Sequence, residues 1–200
     1  MKKILCFGDS NTYGYIPGSG ERYDKDTRWS GILQTLLPDY EIIEGGCNNR
    51  NGFIDSDGGN NLTGYKILPE YLNSNPDIVI LSIGINDLQK FYNPDIELIK
   101  QGLLKMSKQI ISTGAKLIIV STPILSENIL NGFFSFQFNE VSIKKSKLLP
   151  QIYKTISEET NSVYIDINKF VKVSEIDGLH FSKESHKIIA NKIFEIIKNL

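Results

Sequence analysis

Ile4-Leu5-Cys6-Phe7-Gly8-Asp9-Ser10-Asn11-Thr12 is the stretch that decides the fold. Its unbroken apolar run reads as a strand covered on both faces, as parallel strands inside α/β proteins are. Gly8 then lets the backbone turn, and Ser10 stands just beyond the strand end, near a helix start. The same alternation continues to the C-terminus. Further strands are predicted at Glu41–Ile43, Ile78–Ile83, Leu117–Val120 and Val163–Ile167. Helices are predicted at Trp29–Leu37, Tyr65–Asn73, Asp95–Thr113, Glu140–Thr160 and Ser182–Asn199. Ser182 suits the cap of the last helix, while Pro94 and Asp95 open the central one and Gly114 closes it. Five strands alternating with helices predict an α/β fold with a parallel sheet and right-handed crossovers. No repeat, low-complexity tract or linker interrupts residues 1–200, so one domain is expected.

Composition narrows the function. An apolar share of 40% and a charged share of 22% are those of a globular protein and exclude a disordered one. Lys and Arg number 22 against 23 Asp and Glu, with no basic stripe, which argues against nucleic acid as a partner. Cys6 and Cys47 form neither a CxxC pair nor a zinc spacing, and two reduced thiols are expected. Ile4–Phe7 is too short for a signal-peptide core, and no stretch approaches a membrane span. A cytoplasmic protein without a membrane partner is expected. His180 and His186 lie six apart and no HExxH occurs, so neither metal nor cofactor is expected.

In an open α/β sheet, ligands bind beyond the carboxyl ends of the strands. Reactive residues gather there. Ser10 follows the first strand; a serine hydroxyl is inert until a base takes its proton, and alone Gly8-Asp9-Ser10 describes an ordinary turn equally well. Gly84-Ile85-Asn86-Asp87 follows the third strand, where the Asn86 amide can donate to a developing oxyanion or simply make a turn. Asp177-Gly178-Leu179-His180 follows the fifth. That spacing can bring a carboxylate onto one imidazole nitrogen while the other faces a nucleophile. His186, inside the last helix, reads as a partly solvated surface residue. After the second strand, Glu44-Gly45-Gly46-Cys47-Asn48-Asn49-Arg50 permits close backbone approach with N–H groups pointing into a site. Arg50 reads as an anion clamp or, equally, as a structural arginine.

These four blocks, in this order, resemble those of the SGNH/GDSL hydrolase superfamily. The likeness is closest to its arylesterase/acyltransferase branch through Ile4–Tyr15, Arg28-Trp29, Ile42-Ile43-Glu44, Ser146–Leu149 and Asp177–Phe181, and it covers essentially the whole chain. The resemblance implies a three-layer α/β/α sandwich with a flavodoxin-like five-stranded sheet. It also implies hydrolysis of small carboxylic esters through an acyl-enzyme. Carried over by position, Ser10 is the nucleophile, His180 the base and Asp177 its orienting acid. The oxyanion hole combines the Ser10 N–H, an N–H from Gly46 or Asn49 and the Asn86 side chain, with Asp9 and Asp87 in support. Two positions depart from the family: Asn49 stands where Gly or Ala is usual, and Asn11 where Leu is. Asn tolerates a left-handed backbone, but its side chain is expected to crowd the acyl pocket.

Three further readings remain open. The same triad serves a carbohydrate O-deacetylase, with Tyr13, Tyr15 or Tyr23 stacking on a sugar. Acyl transfer to alcohols is a second variant. A non-catalytic binding module is the third, though the first turn lacks both GxGxxG and a P-loop lysine. Phe133, Phe134, Phe136 and Phe138 read as core packing or a homo-oligomer contact before a substrate pocket. Trp29 reads as a packing anchor.

Overall fold

Alternate residues of each apolar run point to opposite faces of one sheet, and this divides the core in two. The computed structural model describes residues 1–200. Its strands are β1 (Lys2–Gly8), β2 (Tyr40–Gly46), β3 (Ile78–Ser82), β4 (Lys116–Val120) and β5 (Val163–Ile165). All neighbours are parallel, in the order β2-β1-β3-β4-β5. Leu5, Phe7, Val79, Leu81, Leu117 and Ile119 face one core, and Ile4, Cys6, Ile78, Ile80, Ile118, Val120 and Ile165 the other.

The helices are α1 (Ser10–Tyr13), α2 (Trp29–Leu36), α3 (Gly64–Leu72), α4 (Ile96–Ser112), α5 (Glu140–Ser146), α6 (Leu149–Glu159) and α7 (Lys183–Ile197). α3, α4 and α6 cover the first face through Leu68, Leu103, Met106, Tyr153 and Ile156. α2 and α7 cover the second through Trp29, Leu33, Ile189, Ala190 and Ile193. The result is the three-layer sandwich with the flavodoxin-like strand order. Asp95 and Ser182 cap α4 and α7 with their side chains, and Gly114 takes a positive φ of 88° just after α4.

Three elements differ from expectation. The helix predicted over Glu140–Thr160 is two helices, broken at Lys147 and Leu148. Pro150 has no N–H to continue the ladder, so the hydrogen bonds of α5 end at Lys147 and α6 begins with this proline in its first turn. β5 stops at Ile165, because the Ile167 N–H turns to the Ser121 hydroxyl and Asp166 caps the following turn. β2 extends to Gly46, so Glu44-Gly45-Gly46 is strand, paired in register with Cys6-Phe7-Gly8.

β1 lies between β2 and β3, and the chain leaves it toward one side of the sheet and later returns to the other. This is the topological switch point, the place beyond the carboxyl ends of the strands where open α/β sheets bind ligands. Ser10 follows β1 and Asn86 follows β3, so both border it.

Candidate active site

Glycines at two strand ends let the turn that carries Ser10 form. A Cβ at Gly8 would strike the Ser82 carbonyl and the Thr12 side chain, and one at Gly46 would strike the backbone of Thr12 and Tyr13. Gly46 therefore serves close packing of α1 on β2. Asp9 caps α1, its Oδ1 accepting from the Asn11 N–H at 2.9 Å. Ser10 thus sits in the first turn, only 4% exposed.

The second half of the site comes from the loop before α7. Gly178, at φ 70°, bends it so that Asp177 Oδ1 accepts from the Leu179 and His180 main-chain N–H groups, each at 3.0 Å. Asp177 Oδ2 lies 2.8 Å from His180 Nδ1, and His180 Nε2 lies 2.9 Å from Ser10 Oγ. With Nδ1 protonated and held by the carboxylate, Nε2 is left to accept the serine proton. Tyr15 stacks on the imidazole at 4.1 Å between centroids, and Phe134 meets it edge-on at 5.2 Å.

Burial lowers the His180 pKa, partly countered by Asp177, and the net direction is down. The ring is therefore neutral at neutral pH. Burial raises Asp177, but the hydrogen bonds and charge of His180 and the loop N–H groups outweigh it, leaving the carboxyl low and ionised.

Asn11, in place of the family's leucine, ties the two halves together. Its Oδ1 accepts from the Phe181 N–H at 3.2 Å and its Nδ2 donates to the Leu179 carbonyl at 3.3 Å. Trp29 is buried and donates its indole N–H to the Asn11 carbonyl at 3.2 Å, an anchor beneath the turn that carries Ser10.

On the opposite flank, Asn86 is buried and donates from Nδ2 to the Arg50 carbonyl at 3.0 Å. Asn49 takes the left-handed conformation, at φ 58°. No acceptor meets the main-chain N–H of Ser10 or of Asn49. Asn49 Oδ1 is instead engaged, by Gln89 Nε2 at 2.8 Å and more weakly by Gln137 Nε2 at 3.5 Å. Arg50 is a structural arginine: Nη1 donates to the Gly8 and Gly45 carbonyls, and the guanidinium lies over Phe7 and Tyr71. Asp87 accepts the N–H groups of Gly52, Phe53 and Ile54, which fixes the loop behind Asn49.

His186 corrects the sequence reading. It is fully buried, not solvated, because it lies where α7 meets α2 and its Nδ1 accepts the Trp29 main-chain N–H at 3.3 Å. Of the four phenylalanines, Phe134 and Phe138 are buried as expected of packing, while Phe133 is 73% and Phe136 51% exposed. Sequence reasoning missed Gln89, whose only signal is its position three residues after Asn86. No group of three or more His, Cys, Asp or Glu side chains gathers to hold a metal ion, and both cysteines are free.

Residues 4–193 match the GDSL-like Lipase/Acylhydrolase family. The chain belongs to this family. It is thus a GDSL hydrolase, and solved structures agree. It is similar to the inhibitor-bound aryl esterase of M. smegmatis at 27% identity and TM-score 0.93, each chain covered in full. It is equally similar to a carbohydrate acetylesterase from Sinorhizobium meliloti, at 27% identity and TM-score 0.93, covering 100% of this chain and 99% of that one. A lipase/acylhydrolase from Enterococcus faecalis shares the fold at 22% identity and TM-score 0.76, covering 100% of this chain and 96% of that one. No curated protein sequence matches the GDSL hydrolase described above.

Proposed function

We propose that this GDSL hydrolase is a serine esterase acting on small acetyl or aryl esters through an acyl-enzyme, with Ser10, His180 and Asp177 as its triad. The observation that carries the reading is the continuous chain of 2.8 and 2.9 Å contacts from Asp177 through His180 to Ser10 Oγ. Ser10 Oγ attacks the ester carbonyl while its proton passes to His180 Nε2, and Asp177 stabilises the imidazolium. The oxyanion takes hydrogen bonds from the unpartnered Ser10 and Asn49 N–H groups and from the second Asn86 Nδ2 hydrogen. His180 then protonates the departing alcohol. Water, activated by the same imidazole, frees the acid; another alcohol in its place gives acyl transfer. One domain carries all these steps, and the two free thiols accord with the cytoplasm.

The test is hydrolysis of p-nitrophenyl esters of increasing acyl length by wild type and Ser10→Ala. Turnover of the acetate that Ser10→Ala abolishes is expected. Turnover surviving in Ser10→Ala would overturn the mechanism. The likeness to a carbohydrate acetylesterase supports a second reading, O-deacetylation of sugars by the same triad. A higher kcat/KM on an acetylated sugar than on an aryl acetate selects it.

A further inference from the structure

Asn86 and Asn49 belong to different loops, yet one buried amide joins them. Gln89 is 4% exposed and follows the short 3₁₀ turn Asn86–Leu88, so its side chain folds back over Asn86. Its Nε2 donates to Asn49 Oδ1 at 2.8 Å and to Asn86 Oδ1 at 3.3 Å. The polarity of this chain is not arbitrary. The Arg50 carbonyl can only accept, so Asn86 must turn Nδ2 toward it and Oδ1 away. Oδ1 then needs a donor, which is the Gln89 NH₂. The second hydrogen of that NH₂ can only be received by an oxygen, and Asn49 presents one.

We propose that Gln89 is a positioning residue for oxyanion stabilisation, its amide relay holding the Asn86 side chain and the Asn49 loop in donor-inward orientation. This rests on the esterase reading above. Gln89 touches no reacting atom; it acts through Asn86 and Asn49. The relay also accounts for the departure at Asn49. Gly or Ala there would offer no oxygen to Gln89, whereas Asn supplies one and accepts the positive φ that aims its main-chain N–H.

The relay makes a demand that mere space-filling does not. Gln89→Glu keeps the shape but replaces a donor by an acceptor, facing two acceptor oxygens. The Asn86 amide must then invert to present Nδ2 to the carboxylate, which turns its oxygen toward the Arg50 carbonyl and the oxyanion. Gln89→Met keeps volume and removes the polar group.

The experiment is steady-state kinetics of wild type, Ser10→Ala, Asn86→Ala, Gln89→Glu, Gln89→Met and Asn86→Ala/Gln89→Met on p-nitrophenyl acetate, with Tm of each. A loss in kcat of about ten- to a hundred-fold for Gln89→Met is expected, with KM nearly unchanged, against a hundred- to a thousand-fold for Asn86→Ala. Gln89→Glu should lose at least as much as Gln89→Met. In the Asn86→Ala background, Gln89→Met should cost far less than it does alone, because the group it orients is gone. If Gln89→Glu proves unstable, Gln89→Met and the double variant decide. Wild-type turnover that depends on Ser10, with kcat unchanged in Gln89→Met or with additive losses in the double variant, would overturn the relay alone. A folded wild type without Ser10-dependent turnover would overturn the esterase reading and the relay with it.

Discussion

At the scale of single residues, the Asp177–His180–Ser10 chain sets two expectations. Asp177→Asn replaces an acceptor by a group that can leave Nδ1 unprotonated and Nε2 unable to take a proton. A kcat loss on the order of 10⁴ is expected in ester hydrolysis. Retention of more than a tenth of wild-type kcat would contradict the assigned role. The pH profile follows from the sign of the His180 shift. Its pKa lies below the ordinary 6.5, so the base stays neutral and active as pH falls through 6.5. The acid limb of kcat/KM should therefore have its midpoint below 6.5; a midpoint above it would contradict the burial argument. Ser10, Asp177 and His180 could be singled out in the sequence because their blocks stand in the order of the GDSL family, and the structure joins the three side chains in one chain of contacts. The places of Asn11, Gln89 and His186 could not be read from the sequence, because no motif marks the partners that the fold brings to them. Phe181 lies 170 residues from Asn11, Asn49 lies 40 from Gln89, and Trp29 lies 157 from His186.

At the scale of elements, the site depends on how closely α1 lies on β2. The atoms a Gly46 side chain would meet are all backbone atoms of Thr12 and Tyr13, which no rotamer change can relieve. Gly46→Ala should cost about 1–3 kcal/mol in urea unfolding, as overpacking does, and should lower kcat because α1 carries Ser10. Wild-type stability in that variant would show that α1 moves freely. The strands were legible as apolar runs, but their ends were not. β2 runs three residues past its apolar stretch because Gly45 and Gly46 pair with β1 through backbone alone, leaving no hydrophobic signal. The break between α5 and α6 was marked by Pro150, yet the apolar period continues across it, and periodicity alone merges the two.

At the scale of the whole molecule, the strand order places the ends of β1 and β3 side by side, and the site is assembled at the switch point of the topology. Beneath it lie buried ionisable groups that couple chemistry to stability. Burial, partly offset by the Asn11 N–H, raises Asp9 to about 7, with Asp87 raising it further and Arg50 lowering it. Asp87 is raised to about 6 by burial, against its three main-chain N–H donors. Both folded values exceed the ordinary 3.8, so their contribution to stability is fully present below that pH and is lost as pH rises through about 6 and 7. His186 runs the other way: burial lowers it to about 4, and its contribution, present above 6.5, is lost as pH falls through about 4. Asp9→Asn keeps a capping oxygen and removes the charge. Its Tm relative to wild type should therefore rise from pH 4 and level off above about pH 7; a constant difference would mean Asp9 does not titrate across that range.

The covalent step offers the most direct test of the central claim. Acid-quenched protein, sampled within the first turnovers of p-nitrophenyl acetate and digested, can be read by mass spectrometry for an added acetyl group. The mechanism predicts one acetyl on the peptide carrying Ser10, accumulating in wild type and absent from Ser10→Ala. An acetyl group on another residue of a turning-over enzyme, or the same label persisting in Ser10→Ala, would contradict it.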